Sequence, residues 1–412
     1  MNRPPAVANL LHVVPRVPLA RHDGAAIAMS QLAEGLHSRG HGLTWACLNT
    51  DKHYVAPERY PTAWPVHAVP IGLPISAPAA LAAALFQRTP YPVLRFLDAR
   101  FSSLLQALVR AQPYDAIVLD SAYLLPYVWA LRAATRAPLV LRAHNLEHRI
   151  WQLNANTTAN PLKALYWRYL GWQGQRWERS ASGEVDAIAA IAPEDAAVFR
   201  AWHPQLPVAL VRPGVVSTGA PVTVTPPTGL TVGYLGSLNW PPNVAGLRWF
   251  VREVWPQVVA QVPGARLVVA GRGAPPEVLG WASATVAIVG EVPDAPAFWA
   301  GVQVAVVPVT SGSGVRLKVI EALAAGVPVA TTPLGAQGAT ELLGRGLAVG
   351  ATPESLAGAL GTWLLHPDRR AEAAAEARVA ALEHFDMGRQ LDALEALLAA
   401  VTRTDEINPT AV

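Results

Sequence analysis

Short apolar runs rich in β-branched residues alternate with alanine- and leucine-rich stretches along most of the chain, and few folds accommodate that alternation. A buried strand, a helical stretch and a second buried strand make a βαβ unit, which requires a parallel sheet. Runs that are apolar at nearly every position need cover on both faces. In the first half the pattern predicts strands at Asn9–Val14, Leu43–Leu48, Asp115–Asp120, Leu139–Arg142, Asp186–Ile191 and Val208–Arg212. In the second half it predicts Thr231–Leu235, Arg266–Ala270, Thr285–Val289, Val304–Pro308 and Val327–Thr331. The expected fold is α/β, with two Rossmann-like, doubly wound parallel sheets.

A chain of 412 residues exceeds the size at which one core stops growing, so two domains are expected. The Ser/Thr/Pro/Gly segment Ser217–Gly229 reads as the linker. It divides an N-terminal domain over 1–216 from a second domain over 230–386, and an amphipathic helix over 387–402 packs back on the first. Ligands of such sheets bind beyond the carboxyl ends of the strands, so a cleft between the two domains is the expected site. The single cysteine, Cys47, lies in an apolar run and reads as a buried strand residue.

The net charge of +3 is small and its cations are scattered, which excludes the basic stripe of a nucleic-acid binder. The N-terminal segment has no signal-peptide pattern, so a cytoplasmic setting is expected. The stretch His67–Phe86 holds Pro70, Pro74 and Pro78, and it reads as a loop leading into a short helix, not a membrane span. Tryptophans 151, 167, 172 and 177 are interleaved with Arg149, Lys163, Arg168, Arg176 and Arg179. Core packing with snorkelling cations is the preferred reading of this stretch, and a peripheral contact with the inner face of a membrane is the other.

The sharpest chemical feature follows the predicted strand at Val304–Pro308. Thr310-Ser-Gly-Ser-Gly314 is a small flexible turn, and a helix is predicted over Val315–Ala325, stopped by Gly326-Val-Pro328. A strand, a glycine turn and a helix N-terminus together present backbone N–H groups and a positive dipole end to an anion. Arg316 and Lys318 fall in the first turn, where cations are unfavourable unless an anion offsets them. The segment lacks the G-x-x-x-x-G-K-[ST] phosphate loop and the third glycine of the dinucleotide fingerprint. Gly271-Arg-Gly273 fails as well, because Pro275 and Pro276 stand where a helix should open.

The run from Gly236 through Ser237 and Asn243 to Phe250, and the run Gly312–Gly338, resemble the donor domain of the retaining GT-B glycosyltransferases of family 4, group 1. The resemblance is close from Val232 to Gly338 and looser at Asp23-Gly24, His144–Glu147 and Val211–Gly214. It implies two Rossmann-like domains and transfer of a sugar with retention, from a nucleoside-diphosphate sugar to an acceptor hydroxyl, without metal or other cofactor. Gly236, Ser237, Asn243, Ser313, Gly314, Arg316, Lys318 and Glu321 would bind the donor, with Arg316 and Lys318 on the diphosphate. Glu321 matches the second Glu of the family's E-x7-E signature and would accept from the ribose hydroxyls. Ser313 stands where the first Glu of that signature is found. His144 matches the family's cleft histidine and would act catalytically with Arg316 and Lys318, and Asp23 and Gly24 would lie on the acceptor side. The acceptor would be a glycan, a lipid-linked glycan or a small molecule, as in polysaccharide or glycoconjugate synthesis.

Three rival readings stand beside this one. The missing first Glu allows a non-catalytic sugar-nucleotide binder. The i, i+4 spacing of His144 and His148 allows a metal pair, although no third ligand is evident. A nucleotide-dependent dehydrogenase also pairs Rossmann units, but neither half holds the G-x-G-x-x-G turn it needs.

Overall fold

The computed structural model describes residues 7–19, 24–216, 229–292, 295–312 and 314–402. Asp23, Ser313 and most of the expected linker, residues 217–228, lie outside the described residues. The chain divides into two compact units: residues up to Arg212 with those from Gly388 onward, and Pro213–Met387.

The first unit is built on a seven-stranded sheet of β1 (Asn9–Val14), β2 (Gly42–Thr50), β3 (Val66–Ile71), β4 (Ala116–Leu119), β5 (Leu139–Ala143), β6 (Ala187–Ala190) and β7 (Val208–Leu210). Their spatial order is β3-β2-β1-β4-β5-β6-β7, and every pairing is parallel. Strand order reverses between β1 and β4, where the crevice of a doubly wound sheet opens. Leu10, Leu11, Val13 and Val14 of β1 are fully buried, as a central strand covered on both faces requires.

One element of this unit departs from expectation. β3 is a strand where the proline-bearing stretch reads as loop. It pairs only with β2, at the sheet edge, and Pro70 is tolerated there because an edge strand leaves one row of N–H groups without ladder partners. The helix expected after it is present at Ala77–Phe86. The C-terminal helix, Met387–Thr402, packs against the helix Gly24–Ser38. Arg39 Nη1 donates to Asp392 Oδ1 at 2.7 Å and to Glu395 Oε2 at 2.8 Å, and His41 Nε2 lies 3.0 Å from Glu395 Oε1.

The second unit holds β8 (Leu230–Leu235), β9 (Ala265–Ala270), β10 (Val286–Gly290), β11 (Val304–Val307), β12 (Val329–Thr331) and β13 (Leu347–Val349). The order is β10-β9-β8-β11-β12-β13, again all parallel, with the reversal between β8 and β11. β13 was not anticipated; it is three residues long and only Leu347 in it is buried.

Close approach at the β8/β11 reversal depends on Gly246, in the helix Pro241–Trp249. A Cβ there would stand 1.8 Å from the carbonyl oxygen of Pro308, just past β11. Gly246→Ala is therefore expected to push the helix away and cost about 1–3 kcal/mol. A thermal melt should show a transition lowered by roughly 5 °C; an unchanged melt would contradict this packing.

Candidate functional site

In the second unit, several of the sequence candidates meet at the carboxyl ends of β8 and β11. Gly236 and Ser237 follow β8 directly, and Asn243 sits in the first turn of the helix Pro241–Trp249. After β11 the chain turns through Gly312 and Gly314, whose φ angles of 96° and 85° favour glycine, and enters the helix Leu317–Ala324. Arg316 is the N-cap residue of that helix, and no side chain caps it. Thr332 Oγ1 donates to Val309 O at 2.5 Å and Thr331 Oγ1 to Val307 O at 2.6 Å, which ties the end of β12 to the start of this turn.

Lys318 is the hub of the group. Its Nζ donates to Asn243 Oδ1 at 2.9 Å and to Tyr234 Oη at 3.1 Å, and it lies 4.8 Å from the centre of the Tyr234 ring. Asn243 Nδ2 in turn donates to Ser237 O at 2.8 Å. Gly236 passes so close that a Cβ there would be 2.9 Å from both Lys318 Nζ and Tyr234 Oη. Tyr234, a buried residue of β8, is a member the sequence reading missed; a polar-tipped aromatic inside an apolar strand was the available signal.

The electrostatics are dominated by burial of charged groups. Burial pushes the Lys318 ammonium down to about 7, with Arg316 adding to the depression and Glu321 opposing it. Burial likewise lowers Arg316 to about 10, so its guanidinium remains charged at neutral pH. Burial raises Glu321 to about 7, against the pull of Lys318. Two cations thus crowd a helix N-terminus whose own dipole end is positive, an arrangement that a polyanion would relieve.

In the first unit, His144 follows β5 and belongs to a buried polar network at the carboxyl ends of β1, β4 and β5. Asp120, fully buried just past β4, takes His144 Nε2 at 2.5 Å and His12 Nε2 at 2.8 Å. It also accepts twice from Arg142 Nη1, at 3.1 and 3.2 Å. Trp45 Nε1 donates to His12 Nδ1 at 3.1 Å, which leaves the other His12 nitrogen to donate to Asp120. Burial opposes ionisation of Asp120, but Arg142 and His144 overcome it and hold the carboxyl well below its usual range. An ionised carboxylate only accepts, so His144 carries its proton on Nε2 and keeps Nδ1 as an acceptor. Burial lowers the His144 pKa, partly offset by Asp120, so the ring is neutral at pH 7. The sequence reading missed Asp120, His12 and Arg142 as partners; charged residues at the ends of neighbouring apolar strands were the only trace of them.

His148, one turn beyond His144, faces a different carboxylate, with Nδ1 2.7 Å from Glu178 Oε2. The i, i+4 histidines therefore do not converge, and no group of His, Cys, Asp and Glu among the described residues is arranged to hold a metal. Gly24 opens the helix Gly24–Ser38 and is exposed. His144 and Gly24 belong to the first unit and the described donor-side candidates to the second.

Comparison with known proteins bears on the family and the fold. Residues 229–366 match the family model described as Glycosyl transferases group 1, and residues 22–218 match that of Glycosyltransferase Family 4. No curated protein sequence matches. Among solved structures, a sucrose-phosphate synthase from Thermosynechococcus elongatus is similar with a TM-score of 0.69 at 16% identity, over 96% of this chain and 100% of that one. The α,α-trehalose 6-phosphate synthase of Burkholderia multivorans gives 0.64 at 16% identity, over 98% and 99%. HepE of Anabaena, solved in complex with UDP, gives 0.65 at 15% identity, over 95% and 100%. The two doubly wound parallel sheets are those of the GT-B fold. With one family model on each unit, the chain belongs to the group 1, family 4 glycosyltransferases.

Proposed function

We propose that this glycosyltransferase moves a sugar, with retention and without a metal, from a nucleoside-diphosphate sugar to an acceptor hydroxyl of a glycan, a lipid-linked glycan or a small molecule in glycoconjugate synthesis. The observation that carries the reading is the part-buried Lys318 amine, held by Tyr234 and Asn243 beside Arg316 at an uncapped helix N-terminus. As the bond from the anomeric carbon to the diphosphate breaks, charge grows on the leaving oxygens, and these fixed cations stabilise it in the manner a metal does elsewhere. Glu321 accepts from the ribose hydroxyls, and the glycines at 236 and 314 let the ligand approach the backbone. Ser237 and Ser313 complete the donor side. His144, neutral and fixed by Asp120, offers Nδ1 to a hydroxyl of the sugar or acceptor, and Asp23 and Gly24 serve the acceptor. HepE, with its bound UDP, is a precedent for this ligand class on the same fold.

A peripheral location at the inner face of a membrane belongs to the same reading and rests on a different surface of the first unit. No helix among the described residues is long and apolar enough to cross a membrane.

The pH dependence of donor affinity tests the assignment. A diphosphate favours charged Lys318, so binding above pH 7 must take up a proton and weakens by up to about tenfold per pH unit. A ribose favours ionised Glu321, so binding below pH 7 must release a proton and weakens in the same way. Calorimetry with a sugar nucleotide, whose diphosphate is a diester and does not titrate in this range, should show an affinity maximum near pH 7. A flat profile would remove both residues from the donor. With an acceptor present, the anomeric configuration of the product by proton NMR tests retention, and an unchanged rate in excess chelator is expected.

A further inference from the structure

The helix Ala77–Phe86 has the sequence APAALAAALF, with no polar side chain, yet only Ala83 in it is buried. Leu81 is 62% exposed, Leu85 66% and Phe86 80%, and Ile75 just before the helix is 83% exposed. A contiguous apolar element left in water is rare in an unassociated protein and marks a contact surface. Its C-terminal end is tied to the long helix Pro161–Ala181: Tyr169 Oη donates to Ala84 O, and Gln173 Nε2 donates to Gln87 O at 2.8 Å. That helix presents further exposed apolar groups, Leu162, Leu165 and Trp172, so the apolar surface continues across both elements.

The exposed charges within its two segments have one sign. Between Gly72 and Leu97 the only charged residues are Arg88 and Arg95, and Pro161–Ala181 holds Lys163, Arg168, Arg176 and Arg179. The single acid in either segment, Glu178, is buried and engaged by His148. Arg176 lies over the Trp172 ring at 4.9 Å, an aromatic-cation pair suited to the boundary between acyl chains and headgroups. A surface whose two segments offer exposed apolar groups and cations, with their one acid buried, is complementary to acyl chains beneath phosphate headgroups. The helix, ten residues long, is too short to span and suits shallow insertion.

We propose that the helix Ala77–Phe86, with the exposed face of Pro161–Ala181, is a docking surface for an anionic lipid bilayer. Only residues of the first unit are involved, and none of them is assigned to the donor or to the reaction. The surface therefore holds the protein at the bilayer independently of the donor grip.

Sedimentation of the full chain with vesicles tests this. Binding is expected to vesicles of equal parts phosphatidylcholine and phosphatidylglycerol, with little to phosphatidylcholine alone, and to weaken in high salt. The double substitution L85S/F86S should reduce binding about tenfold or more. Because both side chains are exposed, melting and nucleoside-diphosphate release with a soluble acceptor should not change. The charge reversal K163E/R168E, which leaves the apolar helix intact, should reduce binding to the anionic vesicles as well. Equal binding by wild type and both variants, or none to anionic vesicles at low salt, overturns the proposal. So does concentration-dependent dimerisation that L85S/F86S abolishes, since that result would give the face to a second copy of the chain.

Discussion

Arg316→Ala is expected to lower kcat by about 10²–10³ while leaving the protein folded. The loss corresponds to about 2.7–4 kcal/mol of transition-state stabilisation, the usual effect of removing one preorganised donor from developing negative charge. Its side chain does not cap the helix it precedes, so no cap is lost with it. Its charge is held against desolvation, which lowers its pKa to about 10, so deleting the charge removes an unfavourable burial. Function and stability are thus separable at this position. Steady-state kinetics beside a thermal melt decide the matter: unchanged turnover in a normally folded variant would show that Arg316 does not face the leaving group. Lys318 differs, because its pKa of about 7 in the free protein leaves part of its charge to be acquired on binding. Removal of either cation should raise the donor KM as well as lower kcat.

Asp120→Ala should be strongly destabilising to the first unit. It deletes the carboxylate that takes His12, Arg142 and His144, and it leaves the Arg142 guanidinium, 1% exposed, without that counter-charge. Breaking a buried pair from one side costs about 3–5 kcal/mol, which lowers the melting transition by on the order of 10 °C. The sign of the pH dependence follows from the depressed folded pKa. The Asp120 contribution is fully present above the ordinary carboxylate range and is lost as pH falls through that range toward the lower folded value. Wild type and Asp120→Ala should therefore converge in stability in acid and separate above pH 5 or so. Equal melting temperatures at neutral pH would contradict the network.

Much of the fold was legible because its determinants are local. The central strands β1, β4, β5, β8, β9 and β11 are nearly continuous apolar runs, a pattern that cover on both faces favours. β3 and β13 were not legible for the opposite reason. β3 carries Pro70 and is half exposed along most of its length, and β13 is three residues stabilised by pairing with β12. Both are edge strands whose existence depends on a neighbour distant in sequence. The glycine turn into the helix Leu317–Ala324 was legible because its glycines, cations and carboxylate lie within ten residues of one another. Tyr234 and Asp120 were not, since each acts on a partner, Lys318 or His144, that only the sheet brings near. The exposure of Ala77–Phe86 was equally hidden: an all-apolar helix reads as core until its neighbours fail to cover it.

The central claim is that Arg316, Lys318 and the helix N-terminus grip a nucleoside diphosphate. Titration calorimetry of a set of nucleoside diphosphates, and of the matching nucleosides, against wild type and Arg316→Ala tests it most directly. The prediction is that one diphosphate binds wild type well, that its nucleoside binds far more weakly, and that Arg316→Ala loses about a hundredfold in affinity for the diphosphate alone. Equal affinity of wild type and variant, or binding that does not depend on the diphosphate, would contradict it.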